Sequence, residues 1–135
     1  MADGADLETA RAAVLFATLP RTVADPILQR SLTKTFKRGE TIFCQGDVSQ
    51  NIYVVLDGWV KLFRITPTGA EAVVGVFTKG RSFGEAVAFE NMPYPVTAEA
   101  VTDTRLLLVR TALLTTLMRD QPEIAMAILS STFRH

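Results

Sequence analysis

Residues 80–89, with the sequence GRSFGEAVAF, carry the densest structural signal in this chain. Two glycines, Gly80 and Gly84, precede a run of small apolar residues, a pattern that predicts a turn leading into a short helical segment. Between residues 39 and 84 the chain alternates glycines with segments rich in β-branched and aromatic residues. This alternation predicts a roll or sandwich of short β-strands. Gly39, Gly46, Gly58, Gly69 and Gly80 follow one another at intervals of 7, 12, 11 and 11 residues.

Strands are predicted on both sides of that stretch. The turn-forming residues Pro67-Thr68-Gly69 predict a hairpin between the third and fourth segments, because Pro and Gly suit its two corners. Two more strands, joined by residues 102–104, are predicted to form a second hairpin. The predicted strands are Thr41 to Cys44, Ile52 to Leu56, Trp59 to Ile65, Ala72 to Phe77, Val96 to Val101 and Arg105 to Val109.

The two flanks of the chain have few glycines and predict helices. Asp6 to Leu15 and Val23 to Leu32 form the first pair, the second with Pro26 in its first turn, where its missing N–H costs nothing. Near the C-terminus, Thr111 is predicted to cap one helix, and the segment 120–123, Asp-Gln-Pro-Glu, has the form of a capping box for another. The expected architecture is mainly β: a double-stranded β-helix (jelly-roll) over residues 33–110, N-terminal helices over about 1–32 and C-terminal helices over 111–135.

Composition limits the function. The chain has 135 residues with 14 basic and 14 acidic side chains, so it predicts a single domain without a basic footprint for nucleic acid. The single cysteine, Cys44, excludes an iron–sulfur cluster held by one chain and is predicted to be a half-buried strand residue. The single histidine, His135, gives haem no supported ligand, although Cys, Met or Tyr could ligate, and gives no catalytic pair, so no enzyme is expected. The single cysteine favours a reducing, cytoplasmic compartment, and the acidic N-terminus and the short apolar runs indicate neither export nor a membrane partner.

The segment 80–89 resembles the phosphate-binding cassette of cyclic nucleotide-binding domains, whose core is Phe-Gly-Glu, here Phe83, Gly84 and Glu85. The resemblance covers about Leu15 to Phe133 and is closest to the sensor domain of Crp/Fnr-type bacterial transcription regulators. The segments that match the same family in order are Gly39-Glu40, Gln45-Gly46-Asp47, Tyr53 to Gly58 and Val60-Lys61-Leu62.

This resemblance implies how a ligand would bind. Backbone N–H groups around Gly84, Glu85 and Ala86, at the start of a short helix, would face a cyclic phosphate. Glu85 would accept a hydrogen bond from a ribose hydroxyl; alternatively, its carboxylate only stabilises its own helix. Thr97 matches the end of the family's motif.

The family's phosphate-binding arginine is missing, because Pro95 or Val96 stands in its place and no Arg or Lys occurs between residues 81 and 105. Without that charge-assisted partner a phosphate loses roughly 1.5–3 kcal/mol, so we expect weak or no binding of cyclic AMP. Arg64, on the same strand face as Val60 and Leu62, is one substitute. The alternative for Arg64 is an ion pair with Glu71 across the hairpin.

The last helix is apolar on all sides from Ile124 to Leu129, which predicts that it faces its own domain and the same helix of a second copy. The interface of this homodimer would include Ile124, Ile128 and Leu129; the alternative is burial of the helix within its own domain. Phe89 is predicted to pass a ligand signal to the C-terminal helices, with static core packing as the alternative.

The predicted function is that of a regulatory domain that senses a small molecule in its roll and signals to its C-terminal helices. The alternative is a ligand-free dimerisation or scaffold module with a vestigial nucleotide pocket. Any contact with DNA is expected to require a further domain that these 135 residues do not contain.

Overall fold

The computed structural model describes residues 2–17, 19–90 and 92–133. In them, five helices flank eight strands and a sixth helix lies between the sixth and seventh strands. The helices are α1 (Gly4–Arg11), α2 (Val14–Ala17), α3 (Arg21–Gln29), α4 (Glu85–Ala88), α5 (Thr111–Asp120) and α6 (Pro122–Phe133). The strands are β1 (Leu32–Phe36), β2 (Thr41–Phe43), β3 (Asn51–Asp57), β4 (Trp59–Ile65), β5 (Glu71–Thr78), β6 (Ser82–Phe83), β7 (Thr97–Ala100) and β8 (Thr104–Arg110).

The strands form two four-stranded antiparallel sheets, with the orders β1-β8-β3-β6 and β2-β7-β4-β5. Among these strands, only β4 and β5 are both consecutive in the chain and paired; every other connection crosses from one sheet to the other. This winding is that of a jelly-roll, and it confirms the predicted mainly β fold with flanking helices. The hairpin at Pro67 to Gly69 is also confirmed, with Gly69 at φ +87°.

The second predicted hairpin is wrong. β7 pairs with β2 and β4, whereas β8 pairs with β1 and β3 in the other sheet. Residues 101–103 therefore form a corner between the sheets. The corner is held on β4, because the Trp59 N–H donates to the Thr102 hydroxyl and the Trp59 carbonyl accepts from Val101 N–H and the Thr104 hydroxyl.

The N-terminal helices begin and end differently from the prediction. The segment Asp6 to Leu15 is two helices, because α1 ends at Arg11 and α2 begins at residue 14. Asp3 caps α1 in a capping box with Asp6, which places the start of the helix earlier than predicted. α3 begins after Pro20, so Pro26 lies inside the helix and not in its first turn.

Both predicted C-terminal helices are present, but the predicted cap of the first one is wrong. Thr111 is the first residue of α5, the N-cap position is Arg110, and no side chain caps this helix. The Thr111 N–H donates to the Gln50 carbonyl. α6 begins at Pro122, a position where proline is favoured. None of the helices in the described part of the chain is long and apolar enough to cross a membrane.

The buried side chains form two clusters on opposite faces of β3 and β8. One lies between this sheet and the helices and includes Ile52, Val54 and Leu107. The other lies between the two sheets and includes Tyr53 and Val55. Successive residues of β3 therefore point to different cores, which explains the unbroken apolar run of this strand.

Candidate functional site

The cassette predicted from the sequence is a tight turn between β6 and α4. Phe83 pairs with Tyr53 of β3, and Gly84 follows with φ +91° as the N-cap of α4. A Cβ atom at Gly84 would lie 3.4 Å from the Asn51 carbonyl oxygen and 3.7 Å from the Tyr53 ring. The left-handed conformation and the close neighbours both favour glycine here.

Glu85 is the first residue of α4 and is half-buried. Its carboxylate forms no hydrogen bond or ion pair with any residue that the structure describes. Ala86 contributes backbone to the same turn of helix. The Glu85 carboxylate, at the start of α4, is therefore a hydrogen-bond acceptor that no described neighbour occupies.

Aromatic rings pack beneath the turn, inside the roll. The Phe43 and Tyr94 rings stack with their centroids 3.6 Å apart, and the Tyr53 and Phe83 rings stack at 5.1 Å. The Tyr94 hydroxyl donates to the Asn51 carbonyl at 3.0 Å. Burial raises the pKa of the Tyr53 hydroxyl well above its usual range, so this group stays neutral at physiological pH.

This aromatic cluster was not predicted from the sequence. Phe43, Tyr53 and Tyr94 come from separate segments of the chain, and only the pairing of distant strands brings them together. Contacts between distant segments leave no pattern within any one segment. The cluster could therefore not be predicted from residue spacing.

The residues at the position of the family's phosphate-binding arginine are apolar. Val96 is buried in the cluster between the sheets, and Pro95 is exposed. Thr97 begins β7, and its hydroxyl oxygen accepts from the Gln45 N–H at 2.9 Å. The structure thus brings Thr97 to the loop after β2, while neither Pro95 nor Val96 supplies a cation.

Arg64 lies near the end of β4, two residues beyond Leu62, which packs against the cluster between the sheets. Its side chain is exposed and forms no ion pair with a described residue. The alternative pairing with Glu71 does not form, because Glu71 instead contacts the Lys61 ammonium at 2.8 Å. Hydrogen bonds to Glu71 and Glu99 raise the pKa of Lys61.

Phe89, the predicted signalling residue, is 39% exposed, so its alternative role as a static core residue is wrong. The buried cassette residue is its neighbour Ala88, which belongs to the same cluster as Leu114 of α5 and Ile124 of α6. Through Ala88, α4 therefore belongs to the same apolar core as the C-terminal helices.

α6 has two different faces. Ile124 and Ile128 are buried in the core of this chain, so neither is free for the predicted interface. Met126 and Leu129 are 63% and 47% exposed. The helix is therefore only partly covered by its own domain, and Leu129 remains accessible together with Met126.

The single cysteine lies at the surface. Cys44 is exposed just after β2, contrary to the predicted half-buried position, because β2 ends at Phe43. His135 lies outside the described residues. Within residues 2–17, 19–90 and 92–133, no group of three His, Cys, Asp or Glu side chains is placed to hold a metal ion.

Comparison with known proteins agrees with this geometry. The family model for the cyclic nucleotide-binding domain matches residues 33–121, which include all eight strands except the first residue of β1. The chain therefore belongs to the cyclic nucleotide-binding domain family.

The relatives include CRP-like transcription regulators. The chain is 28% identical over 120 residues to a CRP-like cAMP-activated global transcriptional regulator of Mycobacterium tuberculosis, a match that covers 89% of this chain and 53% of the regulator. A solved structure of a candidate cyclic nucleotide binding protein from Ruegeria pomeroyi DSS-3 is 50% identical, with a TM-score of 0.93, and the match covers 100% of this chain and 60% of that one.

A third relative is itself a sensor domain. The sensor domain of the transcriptional regulator DNR from Pseudomonas aeruginosa is 26% identical, with a TM-score of 0.82, over 94% of this chain and 85% of that one. The chain spans about half the length of the curated regulator that it matches.

Proposed function

We propose that this chain is the small-molecule sensor domain of a Crp/Fnr-type transcription regulator, in which an effector binds at the cassette and cyclic AMP binds weakly or not at all. The observation that carries the proposal is the intact turn at Gly84 and Glu85, combined with an apolar residue, Val96, where the family's arginine stands.

Each cassette group has a definite chemical role in this proposal. The N–H groups at the start of α4 carry partial positive charge and face an electron-rich ligand atom. Glu85 accepts a hydrogen bond from a ligand hydroxyl, because no described neighbour occupies its carboxylate. Thr97 accepts from the Gln45 N–H and so retains its own hydroxyl proton for donation to a ligand.

The proposed effector carries hydroxyl groups and does not depend on a fully charged phosphate. A phosphate in a partly desolvated pocket without a cation loses roughly 1.5–3 kcal/mol, which is tenfold to more than a hundredfold in affinity. Arg64 is exposed and in no ion pair with a described residue, so it is the proposed source of positive charge for an anionic effector.

Signalling is proposed to pass through α4. The helix has four residues, and Ala88 shares a buried cluster with Leu114 and Ile124. A ligand that moves α4 therefore changes the packing of both C-terminal helices, and a short segment with two nearly isoenergetic positions suits such a shift. Phe89 borders α5 and is the proposed second contact in this route.

A thermal-shift titration with cyclic AMP tests the first part of the proposal. We expect no shift for the wild-type chain, whereas a ligand at a hundred times its dissociation constant adds about 2.7 kcal/mol, a shift of several degrees. Val96→Arg restores the charge and is expected to gain at least tenfold in affinity. Val101→Arg, at an exposed position, is the matched control. A shift of several degrees for the wild type at micromolar nucleotide would contradict the proposal.

Native mass spectrometry of the purified chain separates a sensor from a scaffold. A co-purified small molecule that is lost on Glu85→Ala, but kept on Glu90→Ala at an exposed position, supports the sensor. A ligand-free spectrum, together with no gain of nucleotide binding in Val96→Arg, favours the ligand-free scaffold.

A further inference from the structure

A second cleft of about 630 Å³ lies between α4, the loop at residues 48–50 and α5. Its volume is typical of sites for small molecules. Phe89 lines one part of the cleft, and Arg110, Arg119 and the start of α5 line another. Gly84, Glu85 and Thr97 are not among its lining residues, so it is distinct from the cassette.

Two hydroxyl groups at this cleft have no hydrogen-bond partner in the described part of the chain. Ser49 is only 8% exposed, and its Oγ is buried and unpaired; the Oγ1 of Thr111 is in the same state. Both residues line the cleft. Buried polar groups are nearly always satisfied in proteins, so two unpaired hydroxyls at one cleft point to a partner that is not part of the described chain.

The charges at the cleft are all of one sign. Arg110 and Arg119 are both exposed, and neither forms an ion pair with a described residue. Among the described residues that line the cleft, none is acidic. α5 has ten residues, no acid in its first turn and no side-chain cap, so the partial positive charge of its N-terminus also faces no anion of its own. The whole chain has equal numbers of basic and acidic side chains, which makes this local imbalance informative.

We propose that this cleft binds a small phosphate monoester with an apolar or aromatic body. The phosphate has three terminal oxygens, which match two guanidinium groups and two hydroxyls better than the two oxygens of a carboxylate do. Arginine binds phosphate in a two-point geometry, and the half-exposed Phe89 ring offers a surface on which an aromatic body stacks. The proposal does not rest on the proposed effector site, because Gly84, Glu85 and Thr97 do not line the cleft, which shares only Ala88 and Phe89 with the proposed signalling route.

Isothermal titration with phenyl phosphate, alongside backbone amide NMR, tests the proposal. We expect phenyl phosphate to bind more tightly than either inorganic phosphate or phenol and to shift the amide signals of Ser49 and Thr111. Arg110→Gln and Arg119→Gln are each expected to weaken binding by about tenfold or more. Arg38→Gln, in an exposed turn outside the cleft, is the matched control and is expected to bind like the wild type.

Substitution of the buried hydroxyl distinguishes a ligand contact from a merely buried group. Ser49→Ala removes an unpaired polar atom, so we expect the ligand-free chain to unfold at an equal or higher temperature while phenyl phosphate binds more weakly. Unchanged affinity in Ser49→Ala, or equal losses in Arg110→Gln and Arg38→Gln, would overturn the proposal.

Glu85→Ala separates this site from the cassette. We expect phenyl phosphate to bind this variant as it binds the wild type, whatever the outcome of the cyclic AMP titration. Loss of phenyl phosphate binding in Glu85→Ala would assign the ligand to the cassette and overturn the second site.

Discussion

At the scale of single residues, Gly58 and Gly69 share a left-handed backbone but differ in surroundings. A Cβ atom at Gly58 would lie 2.6 Å from the Asp103 carbonyl oxygen and 2.8 Å from the Thr104 Cα, whereas one at Gly69 meets nothing within 4 Å. Both Gly→Ala variants incur backbone strain of about 1–3 kcal/mol. Gly58→Ala is expected to lose more stability in urea unfolding, because overlap with backbone atoms is added. An equal loss of unfolding free energy in the two variants would contradict this expectation. It would show that the corner at residues 101–103 can move to accept the Cβ atom without an energetic penalty.

Residues whose role depends on local geometry were predicted from the sequence. Gly84 was found because its turn and its neighbours Phe83 and Glu85 form a short contiguous motif. The partner of Glu71 was not found, because two basic residues of β4 compete for it. The register places Glu71 opposite Ile65, on the strand face of Lys61 and not on that of Arg64. Competition between side chains is decided by three-dimensional distances, which one sequence does not contain.

At the scale of elements, strand existence was predictable and strand pairing was not. β4 has the predicted bounds, Trp59–Ile65, because its β-branched and aromatic composition is a local property. β7 and β8 also lie near the predicted segments. Their pairing was predicted wrongly, because a short connection between two strands is compatible both with a hairpin and with a corner between sheets. The break between α1 and α2 was missed because residues 12 and 13 are alanines, which carry no stop signal.

The exposed face of α6 predicts association of the chain. Met126 and Leu129 are exposed apolar residues on a helix whose opposite face, at Ile124 and Ile128, is buried. We expect a two-fold dimer through this face, and Leu129→Glu is expected to convert it to a monomer in sedimentation velocity, because the charge would be desolvated in the interface. Leu32→Glu, at another exposed apolar position, is the control and should remain dimeric. A wild-type chain that is monomeric at high concentration would contradict the expected dimer.

At the scale of the whole molecule, ion pairs join the N-terminal helices to each other and to the roll. The Asp6 carboxylate contacts the Arg105 guanidinium of β8 at 2.5 Å, and Arg11 of α1 contacts Asp25 of α3 at 2.7 Å. The helices also share a buried cluster with α5 and α6. The N-terminal helices, the roll and the C-terminal helices therefore form one packing unit, in which loss of one attachment affects the stability of the whole fold.

The pair of Arg11 and Asp25 makes that stability depend on pH. The hydrogen bond from Arg11 lowers the pKa of the Asp25 carboxyl, so the pair stabilises the fold above the unfolded pKa of about 3.9 and is lost as pH falls through the lower folded pKa. Asp25→Asn is therefore expected to have a lower free energy of unfolding than the wild type near neutral pH. This difference in unfolding free energy should decrease as the pH falls below about 4. Asp57→Asn, at an exposed site in no ion pair with a described residue, should show no such narrowing. Urea unfolding from pH 7 to pH 3 measures both variants, and a constant difference for Asp25→Asn would mean that the pair does not attach α1 to α3 in solution.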